Sequence, residues 1–429
     1  MSNLTRAVLT TLAEPLLEPN AICTVSSARP ATDKYSWERV CWVVALGLGF
    51  LQAWGCRHDS ADGLAYMGPD GISYLDIGDA YMRGDWSHAL NAMWSPFYSW
   101  LLGITLYVFK PSPFWEFTVV RLLNFLIYAG ALLCFAFFLH ALMRDRQGPA
   151  LEIAAADHSL PDWLWLVFGY SLFVWTSLLM NRVSRASPDI LMSGWVYLSA
   201  GFLLRMRAEA TDWLTFISFG LVLGLGYLTK TVMFPLALVF LGVSFVILRR
   251  TTRFRPALLR LVVASLIFLA VAGPFIVALS RAKHRLTIGD SAGLNYAWYV
   301  NRATPFIHWQ GEPSGSGTPL HATRKVFESP AVYEFAAPVG GTYAPWYDPS
   351  YWYEGVRPKF NLRQQLAATA RNSRILFDFV FYRSFLVSIT LALFLLFYQS
   401  RRSLFITDIV AYWFLIFPAA TACMLYLLV

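Results

Sequence analysis

The stretch "MGPDGISYLDIGDAYMRGDW", residues 67–86, carries four aspartates, Asp70, Asp76, Asp79 and Asp85, between two apolar runs. Another acid, Asp189, opens an apolar run directly after Pro188, in "SRASPDILM". Cations border other apolar runs: Lys230 ends "GLVLGLGYLTK", and Arg121 lies in "VVRLLN". A carboxylate is a common proton acceptor in group transfer. Lysine and arginine bind phosphate oxygens through charge-assisted hydrogen bonds. Charges within or beside apolar helices are costly and tend to be functional. Each residue also has a plain structural alternative. Asp70 follows a proline and could cap a helix. Asp76, Asp79 and Asp85 could face solvent. Lys230 and Arg121 could snorkel to a membrane interface. Arg182 and Arg185 read best as a solvated connector.

The elements that must position these residues follow from composition. Apolar residues make up 57% of the 429 positions and charged residues 14%, far from the usual quarter charged of soluble domains. Apolar runs fall at about 38–55, 95–109, 117–142, 163–180, 189–206, 213–229, 231–248, 257–280, 377–398 and 405–428. A helical crossing needs about 20 residues, so the chain reads as an all-α polytopic membrane protein. The net charge of +8 does not point to nucleic acid, because the basic residues cluster at helix ends. The cysteines at 23, 41, 56, 134 and 423 form no CxxC or metal spacing, which excludes a disulfide framework as the organising device. Residues 1–36 lack a signal-peptide pattern and read as a polar cytoplasmic tail, with Leu9–Leu17 a short surface helix.

The arginines orient the bundle. Arg144/Arg146, Arg205/Arg207, Arg249/Arg250/Arg253/Arg255 and Arg401/Arg402 lie in short connectors, and basic connectors stay cytoplasmic. They share a side with the N-terminal tail only if the run at 95–109 does not cross. That leaves about nine crossings, with 95–109 re-entrant or flat at the interface. Residues 56–116 and 281–376 are then extracytoplasmic, and 377–429 holds the C-terminal crossings. In the first of these loops, Ile72, Tyr74, Leu75, Gly78, Tyr81 and Met82 share one side of a helical wheel. Ser73, Asp76, Asp79 and Arg83 fall opposite, an amphipathic juxtamembrane helix that Gly84 would end in a left-handed cap. The 281–376 segment is rich in Trp, Tyr, Gly and Pro, which suits ordered turns, interfacial packing or stacking on sugar rings. Its histidines, His284, His308 and His321, have no helix metal spacing.

Taken in order, the motifs resemble the GT-C superfamily of membrane glycosyltransferases, closest to the protein mannosyltransferase and aminoarabinose transferase branch. "PDGISYLDIGDAYMRGDW" resembles its first-loop motif, and "WSPFYSWLLG" its second juxtamembrane helix. "SRASPDILM" and "GLVLGLGYLTK" resemble two later helix segments. The likeness covers about residues 38–310, a GT-C-like module spanning 37–280 and the start of the outer loop. It implies sugar transfer from a polyprenyl-phosphate donor to an extracytoplasmic lipid, glycan or protein acceptor, with inversion. It further implies Asp70 as catalytic base, Asp189 as the second acidic position, and Lys230 and Arg121 at the donor phosphate. Asn301 and Arg302 stand roughly where relatives carry Glu-His in a substrate loop.

The chain departs from relatives at Gly71, where many have Glu, and at Trp94-Ser95, where the aminoarabinose branch has Glu-Lys. No motif supports a divalent metal. The expected setting is a bacterial inner (plasma) membrane with an extracytoplasmic site. Nine crossings are fewer than relatives usually show, which fits a fragment or a compact variant. Two other functions compete. A sugar-lipid transporter would show repeats and midplane charges; here no repeat is visible and the acids gather at one face. A non-catalytic cell-envelope subunit would keep the scaffold after losing parts of the site.

Overall fold

The computed structural model describes residues 32–55, 60–146, 162–208, 212–303, 323–329, 332–335, 344–352, 356–378, 380 and 410–428. The tail helix at Leu9–Leu17, His308, His321, Arg401/Arg402 and most of the run at 377–398 lie outside these residues. The chain is an all-α membrane protein, with one small ribbon among the described residues. Among the described residues, four helical segments are long and apolar enough to cross a bilayer: Glu116–Arg146, Asp162–Asn181, Met233–Thr251 and Phe254–Ala282. Shorter apolar helices are Pro96–Phe109, Trp213–Thr229 and Trp413–Leu428.

In chain order the helices are α1 (Thr32–Gly55), α2 (Ser60–Arg83), α3 (Trp86–Ala89), α4 (Pro96–Phe109), α5 (Glu116–Arg146) and α6 (Asp162–Val174). A π turn, Trp175–Asn181, extends α6. Then come α7 (Asp189–Arg207), α8 (Trp213–Thr229), α9 (Met233–Thr251) and α10 (Phe254–Ala282). After α10 come α11 (Ser291–Asn295), a π turn at Tyr296–Val300, a two-stranded antiparallel ribbon of β1 (Thr323–Phe327) and β2 (Val332–Phe335), α12 (Ala344–Tyr347) and α13 (Pro349–Trp352). Last are α14 (Leu362–Phe377) and α15 (Trp413–Leu428). The main pairings are α5 with α7, α8 with α10, α2 with α4, and α1 with α6. The core at α7–α10 is built on Leu203, Phe219, Leu223, Tyr227, Ala237 and Phe268, all buried.

Polar ties define two ends of the bundle. At one, Asn124 of α5 accepts from the Tyr98 hydroxyl at 2.7 Å. It donates to the carbonyls of Val183 (3.1 Å) and Arg185 (3.0 Å) in the connector before α7. Gln52, near the end of α1, donates to Leu178 O and accepts from Val183 N, each at 2.7 Å. Tyr227 of α8 reaches Ile288 O at 2.9 Å, and Asp290 N reaches Ala92 O at 2.8 Å. The other end gathers the arginines. Arg207 lies 3.5 Å from Asp145, donates to Ala411 O at 2.8 Å and stacks over Tyr412 and Phe414. Arg250 sits 5.5 Å from the Trp413 ring, and Glu38 pairs with His140 at 2.8 Å.

The start of α4 and the first turns of α5 thus share one end, although α4 lies between them in the chain. At 14 residues α4 spans about 21 Å, short of the roughly 30 Å apolar thickness of a bilayer. α2 and α4 pack backbone to backbone where Gly78 meets Ser99 and Gly103. Gly84 (φ 71) closes α2 as the wheel implied. Asp85 N bonds Ala80 O and Gly84 N bonds Tyr81 O, the paired hydrogen bonds of a Schellman end.

Ser73 departs from the wheel. It is 1% exposed, where the amphipathic reading put it toward water. The reason is the segment after α10: α12 covers this side of α2, and the Ser73 hydroxyl donates to Pro69 O (3.1 Å) or Trp346 O (3.0 Å).

Candidate functional site

α2 is broken at Gly68, whose φ of 64 and ψ of 162 are not helical. Pro69 follows with no N–H to leave unbonded, so a fresh helical segment starts there. Asp70 sits in its first turn, where the exposed N–H groups favour a carboxylate. Asp70 is exposed. Its Oδ1 accepts a 2.6 Å hydrogen bond from the indole Nε1 of Trp346. One turn on, Tyr74 is buried against Trp94 and Tyr98, with ring centroids 5.4 Å away in each case. Burial, then the negative charges of Asp189 and Asp70, push the Tyr74 hydroxyl well above its usual range. Both carboxylates therefore lie within electrostatic reach of one tyrosine.

Asp189 heads α7 after Pro188, again in the first turn. Its carboxylate pairs with Lys230 and accepts from the Ser187 hydroxyl at 2.5 Å. Lys230 leaves the helix at the end of α8, with extended backbone (φ −151, ψ 134) and its N–H on Gly226 O at 2.9 Å. Only residues 230–232 separate α8 from α9, so the break points the lysine at the α7 start. Nearby, Trp195 Nε1 donates to Thr229 Oγ1 at 2.9 Å. Arg121 is half-buried on α5, one turn before Asn124, and so stands at the level of the connector carrying Arg182 and Arg185.

Two of the other aspartates, Asp79 and Asp85, have structural occupations. Asp79 pairs with Arg83 on the exposed side of α2. Asp85 caps α3, accepting from His88 N, and hydrogen bonds from Ser87 and then His88 hold its carboxyl below its ordinary range. Asp76 is half-buried. Asn301, read as part of a substrate loop, spends its amide on backbone: Nδ2 donates to Lys359 O at 2.7 Å and Oδ1 accepts from Lys359 N at 3.0 Å. Arg302 is exposed with φ 60. Among the described residues the non-glycine positions with positive φ are Lys110, Arg182, His284 and Arg302. All are basic and follow the C-terminal end of a helical segment, where a cation suits the dipole.

Several site residues are not singled out by the sequence, which marks only their segment as aromatic-rich. Trp346 stacks on Trp298 (centroids 5.5 Å, planes 17° apart) and faces Trp94 at 6.2 Å. Trp94 Nε1 donates to Trp346 O at 3.1 Å, and Asn91 Nδ2 to Tyr347 O at 2.6 Å. Beside them Asp348 faces Lys283 at 3.9 Å; burial pushes its carboxyl up against the pull of that lysine. The result is an aromatic wall beside an exposed carboxylate, with a carboxylate–ammonium pair at the same end of the bundle. Such a site can accept a proton, bind an anion and offer flat faces to a ring. Among the described residues no three His, Cys, Asp or Glu side chains gather as a metal site. A groove of about 450 Å³ beside Glu38, Arg39, Trp42 and Val43 lies toward the opposite end of α1 from Gln52 and shares none of these residues. The chain matches no known family model, curated protein or solved structure, so its function has to be read from these side chains.

Proposed function

We propose that the chain is a membrane glycosyltransferase of the GT-C kind, moving a sugar from a polyprenyl-phosphate donor to an extracytoplasmic acceptor. The observation that carries this reading is that Asp70 and the Asp189–Lys230 pair share the end opposite the arginine connectors: Tyr74, one turn from Asp70, packs on Tyr98, and Asn124 ties Tyr98 to the connector that leads into Asp189. Asp70 acts as base: it is exposed, Trp346 holds one of its oxygens, and the other is the one assigned to the acceptor hydroxyl. The proton moves to that oxygen as the acceptor attacks the anomeric carbon, and the sugar–phosphate bond breaks with its electrons on the phosphate. Lys230 meets the charge that develops there. An ammonium has three N–H donors, so one can stay on Asp189 while others bind phosphate. Arg121 adds a second cation at the same level. Incubating the purified protein with a panel of polyprenyl-phosphate sugars tests the reading. Sugar release or transfer supports it, and no release from any donor would sink it.

The proposed topology puts the arginine end in the cytoplasm and the aspartates outside, with about nine crossings and α4 at the interface. A cysteine at Ser112, just after α4, is then expected to label only from the extracytoplasmic side. Labelling from the cytoplasm alone would mean that α4 crosses.

Lys230→Met should weaken donor binding about ten- to hundredfold, the equivalent of one charge-assisted hydrogen bond. The fold should survive, because the Lys230 and Asp189 side chains are 38% and 40% exposed and water can solvate the remaining carboxylate. Donor titration in detergent measures it. Unchanged affinity would leave Lys230 as a helix-end partner of Asp189.

A further inference from the structure

We infer that Trp346 is the positioning residue for Asp70: its indole N–H holds one carboxylate oxygen and so aims the other at the acceptor. This rests on the reading of Asp70 as base. An exposed aspartate in a first helical turn has several rotamers open to it. The 2.6 Å bond from Trp346 Nε1 selects one. The indole is itself well anchored. Its ring stacks on Trp298 at 5.5 Å, and the backbone carbonyl of Trp346 receives Trp94 Nε1 at 3.1 Å. The next residue, Tyr347, is buried, with its hydroxyl on His88 O at 2.7 Å. Ser73 lies on α2 itself, one turn from Asp70, and its hydroxyl is within reach of both Trp346 O (3.0 Å) and Pro69 O (3.1 Å), so α2 and the Trp346 segment meet at a second point. Indole N–H is a donor only. Trp346 therefore takes no proton in the reaction and acts through Asp70.

Trp346→Phe deletes the donor and keeps most of the stacking ring, which separates positioning from packing. The expected result is a fall in kcat of about ten- to a hundredfold with KM unchanged, since misplacement by about 1 Å can cost that much. The probe is polyprenyl-phosphate mannose or glucose, whichever the wild-type protein turns over. A double-mutant cycle with Asp70→Asn supplies the decisive readout. If Trp346 acts through Asp70, adding Trp346→Phe to Asp70→Asn causes little further loss. Additive losses would overturn the proposal and leave the base assignment standing. Normal turnover in Asp70→Asn alone would overturn the base assignment and this proposal together. The contact itself is read without activity from the ¹⁵N-indole spectrum of tryptophan-labelled protein. The resonance missing in Trp346→Phe should move in Asp70→Asn, and an unmoved resonance would overturn the proposal.

Discussion

Asp70→Asn should leave a folded protein whose turnover falls by at least about a hundredfold, the low end of what a lost general base costs. Asparagine keeps the shape of the side chain. Its amide oxygen can still accept from Trp346 Nε1, and asparagine suits the start of a helix as well as aspartate does. The exposed position adds no buried charge to lose. Thermal unfolding should therefore move little while sugar release collapses. The amide cannot take the acceptor proton, so the loss belongs to the chemical step, and donor binding through Lys230 should persist. The variant separates two roles that the first turn of a helix otherwise confounds. Stable protein with normal turnover would reduce Asp70 to a helix-start residue and move the assignment to Asp189, whose pairing with Lys230 already makes it the more guarded carboxylate.

What was legible in the sequence was local or periodic. Gly84 after an amphipathic run announces a left-handed helix end, whereas Asp85, read as a solvent-facing residue, caps the next helix. Asp189 and Lys230 stood out because charges beside apolar runs are costly, and the fold brings the two together from 41 positions apart. The rest depends on contacts that leave no local trace. Trp346 lies 276 residues from Asp70, in a segment whose aromatics suit an interface equally well. The same segment buries Ser73, which a helical wheel drawn for one helix against one surface cannot foresee. Asn124 was readable and missed: an amide inside "RLLNFLIY" needs partners, and it found three across α4 and the connector. The π turns at Trp175–Asn181 and Tyr296–Val300 have no residue signature. Both precede segments that build the site, as such insertions often do. The candidate loop residue Asn301 shows the reverse case, since its amide is committed to the backbone of Lys359.

Gly103→Val should destabilise the protein by about 3 kcal/mol or more, at or above the upper end of ordinary overpacking. A Cβ at residue 103 would lie 2.5 Å from Gly78 O and 2.9 Å from Gly78 C. At residue 78 it would lie 2.6 Å from Ser99 O and 3.0 Å from Gly103 N. The obstacle on both sides is backbone, so no rotamer change makes room. Small residues that let two helices touch are a recurrent device where apolar burial alone gives little preference between neighbours. The helices would have to part, and α4 is held at its start by the fully buried Tyr98 and its bond to Asn124. Relief must then come from α2, which carries Asp70 and Tyr74. The same substitution should consequently cut turnover more than the loss of folded protein explains. Gly130→Ala on α5 is the control: nothing lies within 4 Å of an added Cβ there, so helix propensity should make it neutral or stabilising by up to about 1 kcal/mol. Unfolding curves for the two variants, with turnover normalised to folded protein, measure both effects. Equal stability in Gly103→Val and Gly130→Ala would mean that α2 and α4 do not cross at glycine distance. The seat of Asp70 would then have to be sought in its contact with Trp346 alone.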